Sequence, residues 1–504
     1  MESTSLSLEM SFLLKTAKLF RKHWLLILIL AIAAFFRLYN ISGYMEFLGD
    51  QGRDVLIVRR FLTKADFMFI GPQTSVGNIY LSPWYYYFIA PFLLIFNFSP
   101  VGPAVAVALV GIATVWLVWY VSNSWFDEKT AYLSSLLYAV SPVVIKYSSF
   151  SWNPNVMPFF ALLSVWLSWQ VWQEKKFKYL VYLGFSLGAV LASHYLGLLV
   201  FPLCFGMIFL TFRKTSQASK KNLFKYLVLG ILVFLAMIFP LVLFDIKHNG
   251  VNAKALVSLL AGEGGALGFS LADYIFSLLS NLSLIVTRLV GGKNNLAGSS
   301  LTFILAADSF WLSISPANLK KRPLFVILAW IVTGLLGLSF YRFGLVDHYF
   351  GFLYPALFIL FGYIVSRAIN QKKALKAIGL TVYLFVLYLL LSQNPLRYPA
   401  NNQLANTKAI SQFVTEKSAG KEFNLALLAE RNYDPPYRYF LELENAPLKN
   451  LHDQIADQLF VICDDLDCVP LGNSFWDVAA FGIAKVDQKW NVAGKEIYKL
   501  VHRQ

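Results

Sequence analysis

The sequence predicts an α-helical protein that crosses a lipid bilayer many times and carries a small α/β domain at its carboxyl end. Three observations predict it. The 504 residues are 57% hydrophobic and only 14% charged, against roughly 25% charged residues in soluble domains. Uncharged apolar runs of membrane-spanning length recur along the first 396 residues. Beyond Leu396 the charge content returns to that of a soluble domain. The formal net charge is +15. In a soluble protein that excess would raise nucleic acid as a partner, but in a membrane protein Lys and Arg collect on cytoplasmic loops, and topology accounts for most of it.

The first span is Trp24 to Phe36, extended past Arg37 to Tyr39. Lys15, Lys18, Arg21 and Lys22 precede it and place the amino terminus in the cytoplasm. No small-residue cleavage site follows, so the segment reads as an uncleaved helix. Further runs are Val101 to Phe126, Ala131 to Ile145, Tyr147 to Gln173, Tyr179 to Phe212, Tyr226 to Phe244, Leu324 to Phe340, Tyr349 to Ser366 and Ala377 to Leu396. Tyr179 to Phe212 would measure about 50 Å as one helix, too long for a single crossing, so it is a hairpin that breaks near His194, Tyr195 and Gly197. Between Asp245 and Lys320, with an amphipathic stretch from Leu271 to Val290 and an apolar one from Leu301 to Ser315, the chain makes one crossing or three, either of which preserves the sidedness. Basic clusters at 175–178, 213–225, 320–322 and 367–376 all face the cytoplasm if there are about eleven helices. The carboxyl terminus then lies outside, in a plasma membrane.

The expected domains are a transmembrane unit, 1–396, and an extracytoplasmic α/β unit, 397–504. In the latter, Phe423 to Ala429, Gln458 to Cys463 and Glu496 to Val501 read as strands and Pro436 to Glu442 as a short helix. Cys204 lies in a span and reads as packing. Cys463 and Cys468 fit either an exterior disulfide or two free thiols, with zinc a weaker alternative.

The first exterior loop, residues 40–100, is the informative one. Asp50 to Ala65 has helical periodicity and reads as an interfacial helix with Asp50 in its first turn; a Gly/Pro-rich stretch follows, then a second short helix beginning Ser82-Pro83-Trp84-Tyr85-Tyr86-Tyr87. An acid in a first turn is ordinarily a helix-dipole or capping residue. Equally, a carboxylate beside an arginine at a membrane rim suits sugar transfer from a lipid phosphate. That chemistry needs one base for the acceptor and cations for the departing phosphate.

The order Asp50-Gln51-Gly52-Arg53, interfacial helix, then Pro-Trp-Tyr-Tyr-Tyr resembles the first exterior loop of the C-type (GT-C) membrane glycosyltransferases, which include protein O-mannosyltransferases and lipid A aminoarabinose transferases. The resemblance implies a polyprenyl-phosphate-linked sugar as donor. It also implies an acceptor that is protein, lipid or polysaccharide, and Asp50 as the catalytic acid, with Asp54 one turn away. Gln51 stands where that family often has Glu, and Ser82 where it has Lys. Asn153 and Asn155, in the next exterior loop, stand where many relatives carry Asp; that loss of carboxylates predicts transfer without a divalent metal. No cofactor is expected.

Ionisable residues at a membrane edge are costly and so are candidates for function. Arg53, Arg342, His348 and His194 are the expected donor-phosphate ligands, and Tyr85, Tyr86, Asn153 and Tyr349 the expected substrate-lining residues. Arg59 and Arg60 join Arg53, Arg342 and His348 as an exterior basic set around Asp50. Each, singly, reads as well as a snorkelling anchor. A secondary transporter and a membrane-anchored binding scaffold are the rival readings. The chain shows no internal repeat of the kind transporters carry, and a scaffold would not need Asp, Arg and His spread over several rim loops.

Overall fold

A computed structural model of the chain describes residues 23–74, 79–261, 270–314, 320–341, 344–464 and 468–503. The basic flank at Lys15 to Lys22 lies outside them. Among the described residues, seven helices are long and apolar enough to cross a bilayer: Val101–Trp125, Tyr195–Lys214, Gln217–Lys247, Asn295–Ile314, Lys321–Leu338, Asp347–Ile369 and Lys373–Ser392. His23–Leu38 and Tyr179–Ser193 are shorter apolar helices, and Met157–Glu174 adds an 18-residue one. Every predicted span therefore has a helical counterpart. The boundaries differ in two places. The run Ala131 to Ile145 is split at Ser141, with Pro142 opening a separate short helix. The run Tyr147 to Gln173 becomes helical only after a turn and a 3-10 segment at Asn153–Val156, because Pro154 and Pro158 each lack the N–H that a helix interior needs.

The loops sort to two ends. At one, Lys129 donates to Asn370 (2.5 Å) and Arg322 to Gln173 (2.9 Å), which gathers three of the basic clusters onto one rim. At the other lie the first loop, residues 146–153, His194 and the Asp347 segment. The hairpin breaks at His194, as its length requires, with a 3-10 turn over Tyr195–Val200. Leu271–Leu289 lies along this second rim: the Tyr274 hydroxyl donates to the Leu336 carbonyl at one end (2.9 Å), and Arg288 pairs with Asp347 at the other. Its strong amphipathicity suits that placement. Asn295–Ile314, which holds Asp308, follows it and is mostly exposed, packing at the periphery of the bundle.

Arg37, inside the first helix, is buried and hydrogen-bonded through Nε and Nη1, while its Nη2 has no partner among the described residues. Its guanidinium donates to Ser148 Oγ (2.8 Å) and to the carbonyls of Ala33 (3.1 Å) and Ala139 (3.0 Å). That pairing is what makes a charge tolerable within an apolar bundle.

The carboxyl-terminal unit is a four-stranded mixed sheet of order β1-β2-β4-β3, with β1 Asn424–Leu428, β2 Gln458–Cys463, β3 Ala484–Val492 and β4 Lys495–His502. β1 and β2 run parallel, joined through the Pro435–Leu443 helix, as a parallel pair requires a crossover. Both are buried on both faces. One face packs Leu425, Leu427, Phe460 and Ile462 on Ile410, Val414, Tyr437 and Leu441; the other packs Ala426, Val461 and Leu500 on Val478 and Phe481. β3 and the Gln403–Lys417 helix were not expected from the sequence, since β3 is mostly exposed and polar. Cys463 and Cys468 form a disulfide.

Candidate functional site

The Gly49–Lys64 helix carries the acids singled out in the first loop. Its amino end is satisfied from two sides. The Gln51 carboxamide accepts from the Leu48 N–H (3.0 Å), and Asn432 Oδ1, from the carboxyl-terminal domain, accepts from the Gly49 N–H (3.0 Å). Gln51 thus closes its own helix turn. Three residues further on, the Arg53 guanidinium reaches both acids: one nitrogen donates to Asp50 (2.9 Å), and another to Asp54 (2.8 Å).

The two carboxylates sit in different surroundings. Asp50 is 37% exposed and Asp54 is fully buried. Burial pushes the Asp54 carboxyl up to about 6, against the pull of Arg53 and a contribution from the Tyr86 hydroxyl. Burial is the largest single influence and would lower the Arg53 guanidinium, but Asp54, Tyr86 and Asp50 together outweigh it and hold it firmly charged. Asp50 therefore presents a carboxylate to solvent while its neighbour anchors the arginine between them.

Asp50 and Arg53 open onto a cavity of about 520 Å³ whose other walls include Gln73, Thr74, Leu81, Trp152, Asn153, His194, Tyr195, His348, Tyr349 and Tyr433. Elements far apart in the chain meet there, and they pack as a ring of aromatics. Trp152 lies 4.4 Å from His348 between centroids, Tyr349 4.6 Å from His348 and 5.3 Å from His194, and Tyr195 stacks on His194 at 4.7 Å.

His194 accepts the Leu196 N–H at Nδ1 (3.2 Å), so in its neutral form the proton sits on Nε2. Burial, then the nearby His348, pulls its imidazole down to about 3. It is therefore a neutral hydrogen-bond donor. An incoming phosphate would favour the charged form.

Of the residues expected from the sequence, Asp50, Arg53, Asn153, His194, His348 and Tyr349 line this cavity. Asp54 lies behind Arg53. Tyr85 and Tyr86 are buried and lie outside the cavity lining, Tyr85 bonded to Ser151 (2.7 Å) and Tyr86 beside the Arg53 and Asp54 pair. Arg342 lies outside the described residues. Arg59 and Arg60 do not belong to a set around Asp50: both pair with Glu442 of the carboxyl-terminal domain, at 3.9 and 2.6 Å. Asn153 donates to the Ser193 carbonyl (2.7 Å) and Asn155 to that of Phe150 (2.9 Å), so both also brace their loop. Ser82 points away, donating to the Met237 carbonyl (2.6 Å). Asp347 is engaged by Arg288 through two nitrogens, and Lys146 by Glu46 (2.8 Å). Asp245 caps the Val251–Leu260 helix through the Asn252 N–H (2.6 Å). Trp152 and Tyr195 were missed although each adjoins a residue that was singled out. Tyr433 carried no signal, because it reaches the site across some 380 residues of chain. Among the described residues, no group of three or more His, Cys, Asp or Glu is disposed to hold a metal ion.

The family described as dolichyl-phosphate-mannose-protein mannosyltransferase matches residues 81–244. The chain also superposes on ArnT from Cupriavidus metallidurans bound to undecaprenyl phosphate, with a TM-score of 0.62 and 12% identity, over 95% of this chain and 98% of that one. The fold is that of the C-type membrane glycosyltransferases. A second solved relative of this fold is the archaeal oligosaccharyltransferase AglB from Archaeoglobus fulgidus, in complex with an inhibitory peptide and a dolichol-phosphate. It has a TM-score of 0.54 and 13% identity, over 88% of this chain and 70% of that one. At such identities the likeness is one of fold. No curated protein matches the sequence at a significant level. The C-type likeness runs through the transmembrane helices and most of the carboxyl-terminal domain, since nearly the whole chain is covered.

Proposed function

We propose that the chain is a glycosyltransferase that moves a sugar from a polyprenyl monophosphate to an acceptor at the extracytoplasmic face of the plasma membrane, with its amino terminus in the cytoplasm. The observation that carries this is Asp50, a part-exposed carboxylate fixed by Arg53 at the mouth of an aromatic cavity in a C-type fold. Asp50 takes the proton from the acceptor hydroxyl. The acceptor oxygen attacks the anomeric carbon, the bond from that carbon to the phosphate oxygen breaks, and its electron pair leaves on the polyprenyl phosphate. Arg53 orients Asp50 and stays charged through Asp54. His194 and His348 donate to the phosphate oxygens, joined by Arg342, and Tyr349 and Asn153 border the sugar. The transferred group is a hexose or pentose, and the acceptor a protein, lipid or polysaccharide. The reaction uses no divalent metal and no nucleic acid.

Membranes containing the protein, incubated with a panel of labelled polyprenyl-phosphate sugars, test this. Label is expected to pass from at least one donor to an acceptor fraction with release of polyprenyl phosphate, equally in the presence of a strong chelator. Retention of label on every donor would contradict the activity. Loss under chelator that manganese restores would contradict the metal-independent part alone.

A further inference from the structure

The carboxyl-terminal domain does more than sit over the rim. It grips the Gly49–Lys64 helix along its length, through Asn432 at the first turn, Pro436 against Gly52, and Glu442 on Arg59 and Arg60. The first of these contacts is the one nearest the chemistry. Asn432 Oδ1 accepts both the Gly49 N–H (3.0 Å) and the Tyr433 N–H (2.9 Å), while its Nδ2 donates to Asp464 Oδ2 (2.9 Å). Asp464 is held in turn by Lys495 on β4 and by its own N–H to the Leu428 carbonyl (2.9 Å) at the end of β1. Gly49 precedes Asp50, and a first-turn N–H has no partner within its own helix. The amide that orients the Asp50 backbone is therefore tied to the end of a sheet more than 380 residues away. The Tyr433 ring lies so close to Gly49 that a Cβ there would come within 2.4 Å of it, and the same tyrosine forms part of the cavity wall.

We propose that Asn432, oriented by Asp464, is a positioning residue for Asp50: it caps the catalytic helix from outside and makes the carboxyl-terminal domain part of the active site. The inference rests on reading Asp50 as the base. The cap itself is measurable without any substrate.

The test uses the full-length protein and two readouts. In amide hydrogen exchange, Asn432→Ala is expected to speed exchange in the first turn, residues 49–53, about fivefold to tenfold, the effect of losing a good cap. The Pro435–Leu443 helix should stay protected. In the transfer assay the same variant lowers kcat and leaves the donor KM unchanged. Asn432→Asp places a carboxylate against Asp464 and is expected to behave like the alanine variant. The exchanged pair, Asn432→Asp with Asp464→Asn, restores one donor and one acceptor between the two side chains, and should recover both protection and kcat. A purely structural contact gives no such rescue in kcat. Unchanged exchange at 49–53 in Asn432→Ala, or no recovery in the exchanged pair, overturns the proposal. Full transfer by Asp50→Asn would overturn the reading of Asp50 and leave the exchange result standing, so the two failures are distinguishable.

Discussion

Asp50, Arg53 and Asp54 form a triad in which burial assigns the roles. The arginine is shared, but only Asp50 has an open side. The buried Asp54 titrates near 6, above the ordinary range for an aspartate. A carboxyl raised in the folded state binds its proton more tightly there than in the unfolded chain, so its contribution to stability is largest below about 4 and is lost as pH rises through about 6. Activity should run the other way. If Asp50 is the base, as proposed, protonated Asp54 releases Arg53 to lean on Asp50, so transfer should fall as pH drops through about 6. Asp54→Asn should remove that limb; an unchanged limb in this variant would show that another group titrates. Much of the triad was legible in the sequence, because Asp50, Arg53 and Asp54 lie within little more than one helical turn, where spacing alone brings side chains together. The neutrality of His194 was not legible, since it comes from burial by aromatics on other segments. The pairing of Arg59 and Arg60 with Glu442 was equally hidden, being a contact between domains.

The Gly49–Lys64 helix is where the two halves of the molecule meet. An added Cβ at Gly52 would lie 2.3 Å from the Pro436 nitrogen. Because that neighbour is backbone, Gly52→Ala must push the helix off the carboxyl-terminal domain, at a cost of about 1–3 kcal/mol. A lowered melting temperature together with lowered kcat is the expected result, and a wild-type melting profile would contradict the tight docking. Glu442→Ala acts more weakly. Its partners are part-exposed, and such ion pairs contribute about 0–1 kcal/mol. At this scale the sequence read well wherever periodicity was strong. The interfacial helix, the Trp84–Ile95 helix, the break at His194, β1 and β2 all stand within a few residues of expectation. The misses have local causes: prolines at 142, 154 and 158 interrupt apolar runs that hydropathy joins, and β3 lacks the alternation that marks a buried strand.

Across the whole molecule, three of the four basic clusters gather at one end of the bundle, and the cavity and carboxyl-terminal domain at the other. If those basic clusters face the cytoplasm, a cysteine replacing Lys372 should react with an impermeant thiol reagent only after the membrane is opened, and one replacing Asn473 should react in intact cells. Cys204 is buried and the other two cysteines are paired, so the background is low. Reaction of the Lys372 site in intact cells would reverse the orientation. Composition made the membrane class legible, and the positive-residue pattern the arrangement of loops. The cavity was not legible, because it closes only when the ends of separate helices converge. The central claim is that Asp50 is the base for sugar transfer. Its most direct measurement is the rate of label transfer from a polyprenyl-phosphate sugar by purified wild type and Asp50→Asn at equal protein and equal melting temperature. A loss of about 10²–10⁴-fold is predicted, the usual share of a general base, and an Asp50→Asn protein that transfers at the wild-type rate would contradict it.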